Sequence, residues 1–390
     1  LLDPELGRPI DDALVVPFLA PASYTGEDLV EFHTHGNPML VDRLIDLLVA
    51  AGARPAGPGA FTRRAVLAGR MDLPAAEALA DLLDAVSPRG AALALGRMGG
   101  DLADWTASLA DRLLAVRAAL EATVDFPDED IDPGQSAAHA ARLQELAELL
   151  LAEVERSRRA RLWTGGAAVV VAGAPNAGKS TLLNRLLGVE RAIVGAQAGT
   201  TRDWLEAPTV LDGLPVRLID TAGLRDTADD VEAEGVRRAA ALMAEADLVI
   251  HLRAPDADED AALQAALAAV PATRRLVVWN KRDLAAPPPD IELAVAAAAG
   301  EGIDHLVAAI SRRLRYDGPD PRIGGRRQET ACLRAADALA AAAAALTAGQ
   351  PPEIAVEDLR YAQGALADLL GAVDVEAVLD RVFATFCIGK

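Results

Sequence analysis

One octapeptide constrains this chain more than anything else in its 390 residues. Gly173-Ala174-Pro175-Asn176-Ala177-Gly178-Lys179-Ser180 matches G-x-x-x-x-G-K-[ST]; it follows the apolar run Ala168–Ala172 and precedes the helix-forming stretch Thr181–Leu187. In a strand–turn–helix context the glycines let backbone N–H groups curl around phosphates. The Lys179 ammonium reaches the β/γ oxygens, and the Ser180 hydroxyl ligates Mg²⁺. Such a loop belongs to a mainly parallel sheet with helices on both faces. Val216–Asp220, Leu248–Leu252 and Leu276–Trp279 supply further short apolar strands between 167 and 314, alternating with helical stretches.

Three more elements follow in register. Asp220-Thr221-Ala222-Gly223 closes a strand; Asp220 is expected to hold Mg²⁺ through water and the Gly223 amide to sense a γ-phosphate. Gly199-Thr200-Thr201-Arg202-Asp203 lies between the two and reads as a switch, with the Thr201 hydroxyl as the second protein ligand to Mg²⁺. Asn280-Lys281-Arg282-Asp283 ends the strand Leu276–Trp279. There the Asp283 carboxylate can accept both N1–H and the 2-amino group of guanine, which adenine does not offer, while Lys281 packs along the base. The four together predict a GTP-binding domain. A fifth element, where proteins of this type read Ser-Ala-Lys, is reduced to Ala296-Ala297-Ala298. The Ala297 amide is expected to donate to guanine O6 without side-chain support, which lowers affinity and leaves specificity intact.

Hydrolysis needs a water-orienting group and positive charge. Ras-like proteins carry a Gln directly after the Gly of D-x-x-G; this chain has Leu224 there, with Arg202 and Arg225 as candidate arginine fingers. Asn176 offers an amide oxygen beside the phosphates, either as a turn residue or as a ligand for a monovalent cation.

Composition separates the parts. Hydrophobic residues make up 52% of the chain and aromatics 3%, which fits helices packed by Ala and Leu. Residues 1–71 mix short apolar runs (Ala13–Leu19, Leu29–Phe32) with Pro/Gly turns and read as a partial α+β piece. Helical spacing then takes over: Leu102, Trp105, Leu109, Leu113, Val116 and Leu120 form one set, and Leu143, Leu146, Leu150 and Val154 another. A break at Asp125-Phe126-Pro127-Asp128-Glu129-Asp130 separates them. The helical period returns from Glu329. The expected architecture is multidomain α/β plus all-α: a Ras-like P-loop GTPase domain (165–315) inserted into a helical bundle (72–164 and 316–390), preceded by the α+β piece. The longest purely apolar run, Ala338–Leu346, is too short for a membrane span, and Leu1 in place of Met points to a missing N-terminal segment. Cys332 and Cys387 are the only cysteines and fit a reducing cytoplasm. A net charge of −20 argues against non-specific nucleic-acid binding over the whole surface. Of the 38 basic residues only Lys179, Lys281 and Lys390 are lysines, so each is read as a place where a compact ammonium is required.

The chain closely resembles the MnmE (TrmE) family of tRNA-modification GTPases. The resemblance rests on Tyr24-Thr25-Gly26-Glu27-Asp28 with Glu31 and His35-Gly36, on Gly59-Ala60-Phe61-Thr62-Arg63-Arg64-Ala65 and Met71-Asp72-Leu73, on Asp125-Phe126-Pro127-Asp128-Glu129, on Asp220-Thr221-Ala222-Gly223-Leu224-Arg225 with Val231-Glu232, and on the terminal Phe386-Cys387-Ile388-Gly389-Lys390. It implies an N-terminal folate-binding domain that makes a homodimer, and GTP hydrolysis dependent on K⁺. It also implies a partnership with the FAD-dependent MnmG, a heterotetramer in which tRNA is modified at C5 of the wobble uridine with a one-carbon unit from 5-formyl- or methylene-tetrahydrofolate. Nucleotide contacts would take in Thr181 and the loop Gly195-Ala196-Gln197-Ala198-Gly199-Thr200-Thr201. Asn176 and the carbonyls of Gly195, Gln197 and Thr200 would bind K⁺, and Glu232 would orient water, against its plain reading as a solvated helix-start carboxylate. Glu31, Arg70 and Lys390 would meet the folate, with Cys387 close by as a reactive thiol or as core. Three positions depart from the family: Gly195-Ala196 stands for Thr-Asp, and Arg70 for Lys. A terminal C-x-x-X is also the form of a prenylation signal, which Lys390 disfavours; no membrane association is expected. The rival readings are a regulatory GTPase of ribosome assembly, which would carry basic RNA-binding appendages, and an inert scaffold, which four intact motifs oppose.

Overall fold

The computed structural model describes residues 1–4, 7–125, 133–188, 206–220, 232–291 and 293–371, without the side chains of 125, 133, 134 and 232–236. The chain divides into two compact units. One comprises 1–80, 97–151 and 325–390; the other comprises 81–96 and 152–324.

The second unit is built on a five-stranded sheet. Its strands are β3 (Ala167–Gly173), β4 (Glu206–Leu211), β5 (Leu214–Asp220), β6 (Leu248–Arg253) and β7 (Arg275–Trp279), in the order β4-β5-β3-β6-β7. Only β4 runs antiparallel, joined to β5 through the turn Asp212-Gly213, where both residues hold positive φ. Val169, Val170 and Val171 are fully buried, as a central parallel strand covered on both faces requires. Val169 and Val171 point into one core with Leu182 and Leu186 of α7 (Lys179–Leu187) and Leu306 and Ile310 of α10 (Ile303–Leu314). Val170 and Ala172 point into the opposite core, with Met243 of α8 (Glu232–Glu245) and Leu263 and Leu267 of α9 (Ala261–Ala269). Asp260 caps α9 by accepting from the Leu263 N–H at 2.7 Å. Strand β4 was not foreseen. Its Glu206-Ala207-Pro208 opening masks it, and Pro208 is tolerated because β4 is an edge.

In the first unit, β1 (Leu14–Phe18) and β2 (Leu29–His33) form an antiparallel pair, followed by α1 (Pro38–Ala50) and α2 (Ala60–Leu67). The motif at 24–28 ties this hairpin to α2: Tyr24 and Thr62 share a hydroxyl–hydroxyl bond of 2.9 Å, and Glu27 pairs with Arg64. α3 (Leu73–Asp84) comes next; its last turn and almost all of α4 (Pro88–Arg97) fall in the second unit. The long helices are α5 (Asp101–Asp125), α6 (Pro133–Gly165, counted with the first unit up to Leu151), α11 (Arg326–Thr347) and α12 (Pro352–Leu369). α11 and α12 pack together and α12 meets α5. The seam is alanine-rich: Ala335, Ala342, Ala355 and Ala362 are fully buried, so the helices approach on methyl groups. α11 is apolar enough to pass for a membrane span, with mean hydropathy 1.2, yet 56% of that stretch is buried against its own protein, as in a core helix. Arg327 makes a forked pair with Glu77 (2.7 and 2.8 Å) and donates to the last carbonyls of α12, closing the helix end.

Candidate nucleotide site

The sequence elements meet at the carboxyl ends of β3, β5, β6 and β7, where open α/β sheets bind ligands. β3 ends at Gly173, whose backbone lies so close to β6 that an added Cβ would stand 2.3 Å from the Leu252 carbonyl. The loop then crosses Asn176, held at φ 62, and Gly178, held at φ 89, before α7 begins. Lys179 is buried, and its Nζ donates to the carbonyls of Gly173 and Ala174 at 3.0 and 2.9 Å. The ammonium is thus drawn across the mouth of its own loop. Ser180 Oγ donates to Asp220 Oδ2 at 3.1 Å. A hydroxyl ligand with a carboxylate one hydrogen bond away, placed to act through a water, suits Mg²⁺; among the described residues no cluster of His, Cys, Asp and Glu offers another metal site.

On the base side, Asn280 is 2% exposed and spans two loops. Its Nδ2 donates to the Ala177 carbonyl at 2.8 Å, and its Oδ1 accepts the Ala297 N–H at 3.1 Å. Gly178 must lack a side chain here, since a Cβ would meet Asn280 Nδ2 at 2.3 Å. The Ala297 amide, expected to serve guanine O6, is in this structure engaged by Asn280. Lys281 holds φ 57 and donates to both Asp256 oxygens at 2.8 and 2.6 Å. This contact holds the Asp256 carboxyl below its usual value. Asp283 is exposed in the turn that follows, and Trp279 Nε1 braces that turn by donating to the Ala285 carbonyl at 3.0 Å. Two contributors carried no sequence signal: Asp256, which reads as part of an acidic run, and Arg185 of α7, which donates to the carbonyls of Ala297 and Ala298.

The structure therefore brings together Asn176 to Thr181, Asp220, Asn280, Lys281, Asp283 and Ala296 to Ala298. The switch 195–201 and Thr221-Ala222-Gly223 lie outside the described residues, as do Arg202, Leu224, Arg225, Cys387 and Lys390; Glu232 is the first residue of α8. Of the residues read as a folate contact, Glu31 sits on β2 beside His33 (3.1 Å), and the exposed Arg70 lies against Gly26.

Family models for the MnmE helical domain and for the N-terminus of GTP-binding protein TrmE match residues 73–387 and 1–70. The chain belongs to the MnmE family. The tRNA modification GTPase MnmE of Methylorubrum populi is 45% identical over 100% of this chain and 88% of its own length. Its namesake in Thermus thermophilus is 42% identical with the same two coverages. Among solved structures, the FeoB G-domain of Methanococcus jannaschii is similar to 38% of this chain and 97% of its own at 26% identity, with a TM-score of 0.29.

Proposed function

We propose that this chain is a GTP hydrolase acting in tRNA modification. The observation that carries the hydrolase half is Asn280, which locks the phosphate loop to the base-binding loop and so makes one continuous cradle for a guanine nucleotide. Membership of the MnmE family supports the tRNA half. In this reading Lys179 leaves its two loop carbonyls for the β/γ oxygens, Asp283 selects guanine, and Lys281 lines the base. Ser180 and Thr201 hold Mg²⁺, with Asp220 behind a water; the metal offsets phosphate charge. Asn176 with the Gly195, Gln197 and Thr200 carbonyls would hold K⁺, which would supply the positive charge that an arginine finger brings elsewhere; Leu224 leaves the water-orienting role of the usual Gln to another residue. Asn176 is suited to this: its αL backbone presents the side chain from the tip of the loop. Glu232 at the start of α8 orients the attacking water.

The finer reading follows the family. The α/β domain (165–315) is inserted into a helical domain (72–164 and 316–390), after a folate-binding and dimerising piece (1–71). A homodimer works in the cytoplasm with the FAD-dependent MnmG on C5 of the wobble uridine, drawing a one-carbon unit from a tetrahydrofolate held near Glu31, Arg70 and Lys390, with Cys387 beside it. The test has two arms. The purified chain should hydrolyse GTP and not ATP, faster in K⁺ than in Na⁺; equal turnover in the two salts removes the cation site. Mass spectrometry of wobble uridines in a strain lacking the gene should show loss of the C5 group; unaltered tRNA would defeat the modification role.

A further inference from the structure

The base side of the site depends on a loop with little chemistry of its own. Ala296 and Ala298 stand where proteins of this kind carry Ser and Lys, so no side chain within the loop fixes its amides. The loop closes on itself through Gly300 N–H to the Ala296 carbonyl at 2.8 Å and Ala296 N–H to the Glu301 carbonyl at 3.0 Å. Its remaining anchors come from outside. Arg185 Nε donates to the Ala297 carbonyl at 3.0 Å, and its Nη2 donates to the Ala298 carbonyl at 2.6 Å. Two successive carbonyls taken by one planar fork is a task for guanidinium, not for ammonium. Because a trans peptide is planar, fixing the carbonyl of one residue fixes the N–H of the next on the opposite side. The fork therefore sets the directions of the Ala298 and Ala299 amides, while Asn280 sets that of Ala297.

We propose that Arg185 is a positioning residue for guanine-nucleotide binding, holding the loop amides in place of the missing Ser and Lys side chains. This rests on the GTPase reading above. The consequence differs from that of a residue at the phosphates: the loop contacts the base, which is bound equally in ground and transition states, so loss should appear in KM and not in kcat.

The full chain is titrated with fluorescent GDP and assayed for GTP turnover, as wild type, Arg185→Ala, Arg185→Lys, and Arg185→Ala combined with Ala296→Ser and Ala298→Lys. Loss of two charge-assisted bonds should raise Kd for GDP by about tenfold in Arg185→Ala, mainly through faster release, with KM following. Arg185→Lys should recover part of the affinity, and the restored triplet most of it. Wild-type affinity in Arg185→Ala overturns the proposal, and so does a fall in kcat at unchanged KM. Should Arg185→Ala fail to fold by thermal melt, Arg185→Lys decides, and wild-type affinity there overturns the proposal. A wild-type chain that binds no GDP refutes the GTPase reading itself, which separates the two failures.

Discussion

The two sides of the nucleotide site are built on different plans. On the phosphate side most of the described groups sit within one contiguous motif, joined by Asp220 through Ser180, and the geometry of the loop is local: Lys179 bonds carbonyls six and five residues behind it. On the base side the groups come from four separated segments. Asn280 reaches Ala177 and Ala297, Lys281 reaches Asp256, and Arg185 reaches across 112 and 113 residues to Ala297 and Ala298. The first plan depends on fixed residue types at fixed spacing, with little room for change at Gly173, Gly178, Lys179 and Ser180. The second depends on mutual support, so one element can erode to three alanines while others hold the loop.

The sharpest break in that contrast should come from the phosphate side. Lys179 supplies the one buried ammonium of the loop, and no second cation on the described part of the loop can replace it. Lys179→Ala should cost about 10²–10³ in kcat/KM for GTP, as the loss of a charge donor at a reacting oxyanion does. Steady-state assays decide it, and a loss below tenfold would mean that the loop's amides and bound cations do most of the work.

Asn280 belongs to both sides, so its removal should show whether they are one unit. Asn280→Ala leaves the Ala177 carbonyl and the Ala297 N–H buried without their present partner, at about 1–3 kcal/mol each. We expect a lower melting temperature and GDP affinity reduced by about tenfold or more. Both effects should shrink when the same substitution is made in an Arg185→Ala background, because the loop is then already loose. Strict additivity in the double-mutant cycle would mean that the two anchors act independently.

The same contrast explains what could be read from the sequence. The phosphate loop, Asp220 and Asn280–Asp283 were legible because their chemistry is encoded in spacing along the chain. The strands around them were legible as apolar runs, since a doubly covered sheet such as Val169–Val171 leaves no polar position. Strand β4 was not, because an edge strand pays no such penalty for its Glu206 and Pro208. Arg185 and Asp256 were hidden for another reason: each acts on a partner set by the fold, one on main-chain carbonyls and one on Lys281. In the sequence they are an ordinary helix arginine and a member of an acidic run. The segment 81–96 reads as a continuation of the helical region, yet it joins the α/β unit. There Ser87 Oγ donates to the Trp163 carbonyl at 2.6 Å, and Gly90 lies against the same carbonyl too closely for any side chain.

The smallest expected effect tests whether mutual support extends to the exposed rim. Asp256 is 54% exposed, and its pair with Lys281 is open to solvent and salt, so its contribution should be modest. The pair holds the Lys281 head group to one side, which in the proposed reading leaves its stem to line the base. Asp256→Asn should weaken GDP binding by no more than about fivefold at neutral pH, and less at high salt. The pH dependence carries the sign. Because Lys281 lowers the folded-state pKa of Asp256 below 3.8, the stabilisation is complete above that value and is lost as pH falls through the lower, folded-state one. Wild type and Asp256→Asn should therefore differ by a constant amount in stability from neutral pH down to about 5, and converge only in stronger acid. Chemical denaturation across that range measures the difference. Convergence already near pH 6 would mean that another group is titrating, and that Asp256 does not anchor Lys281.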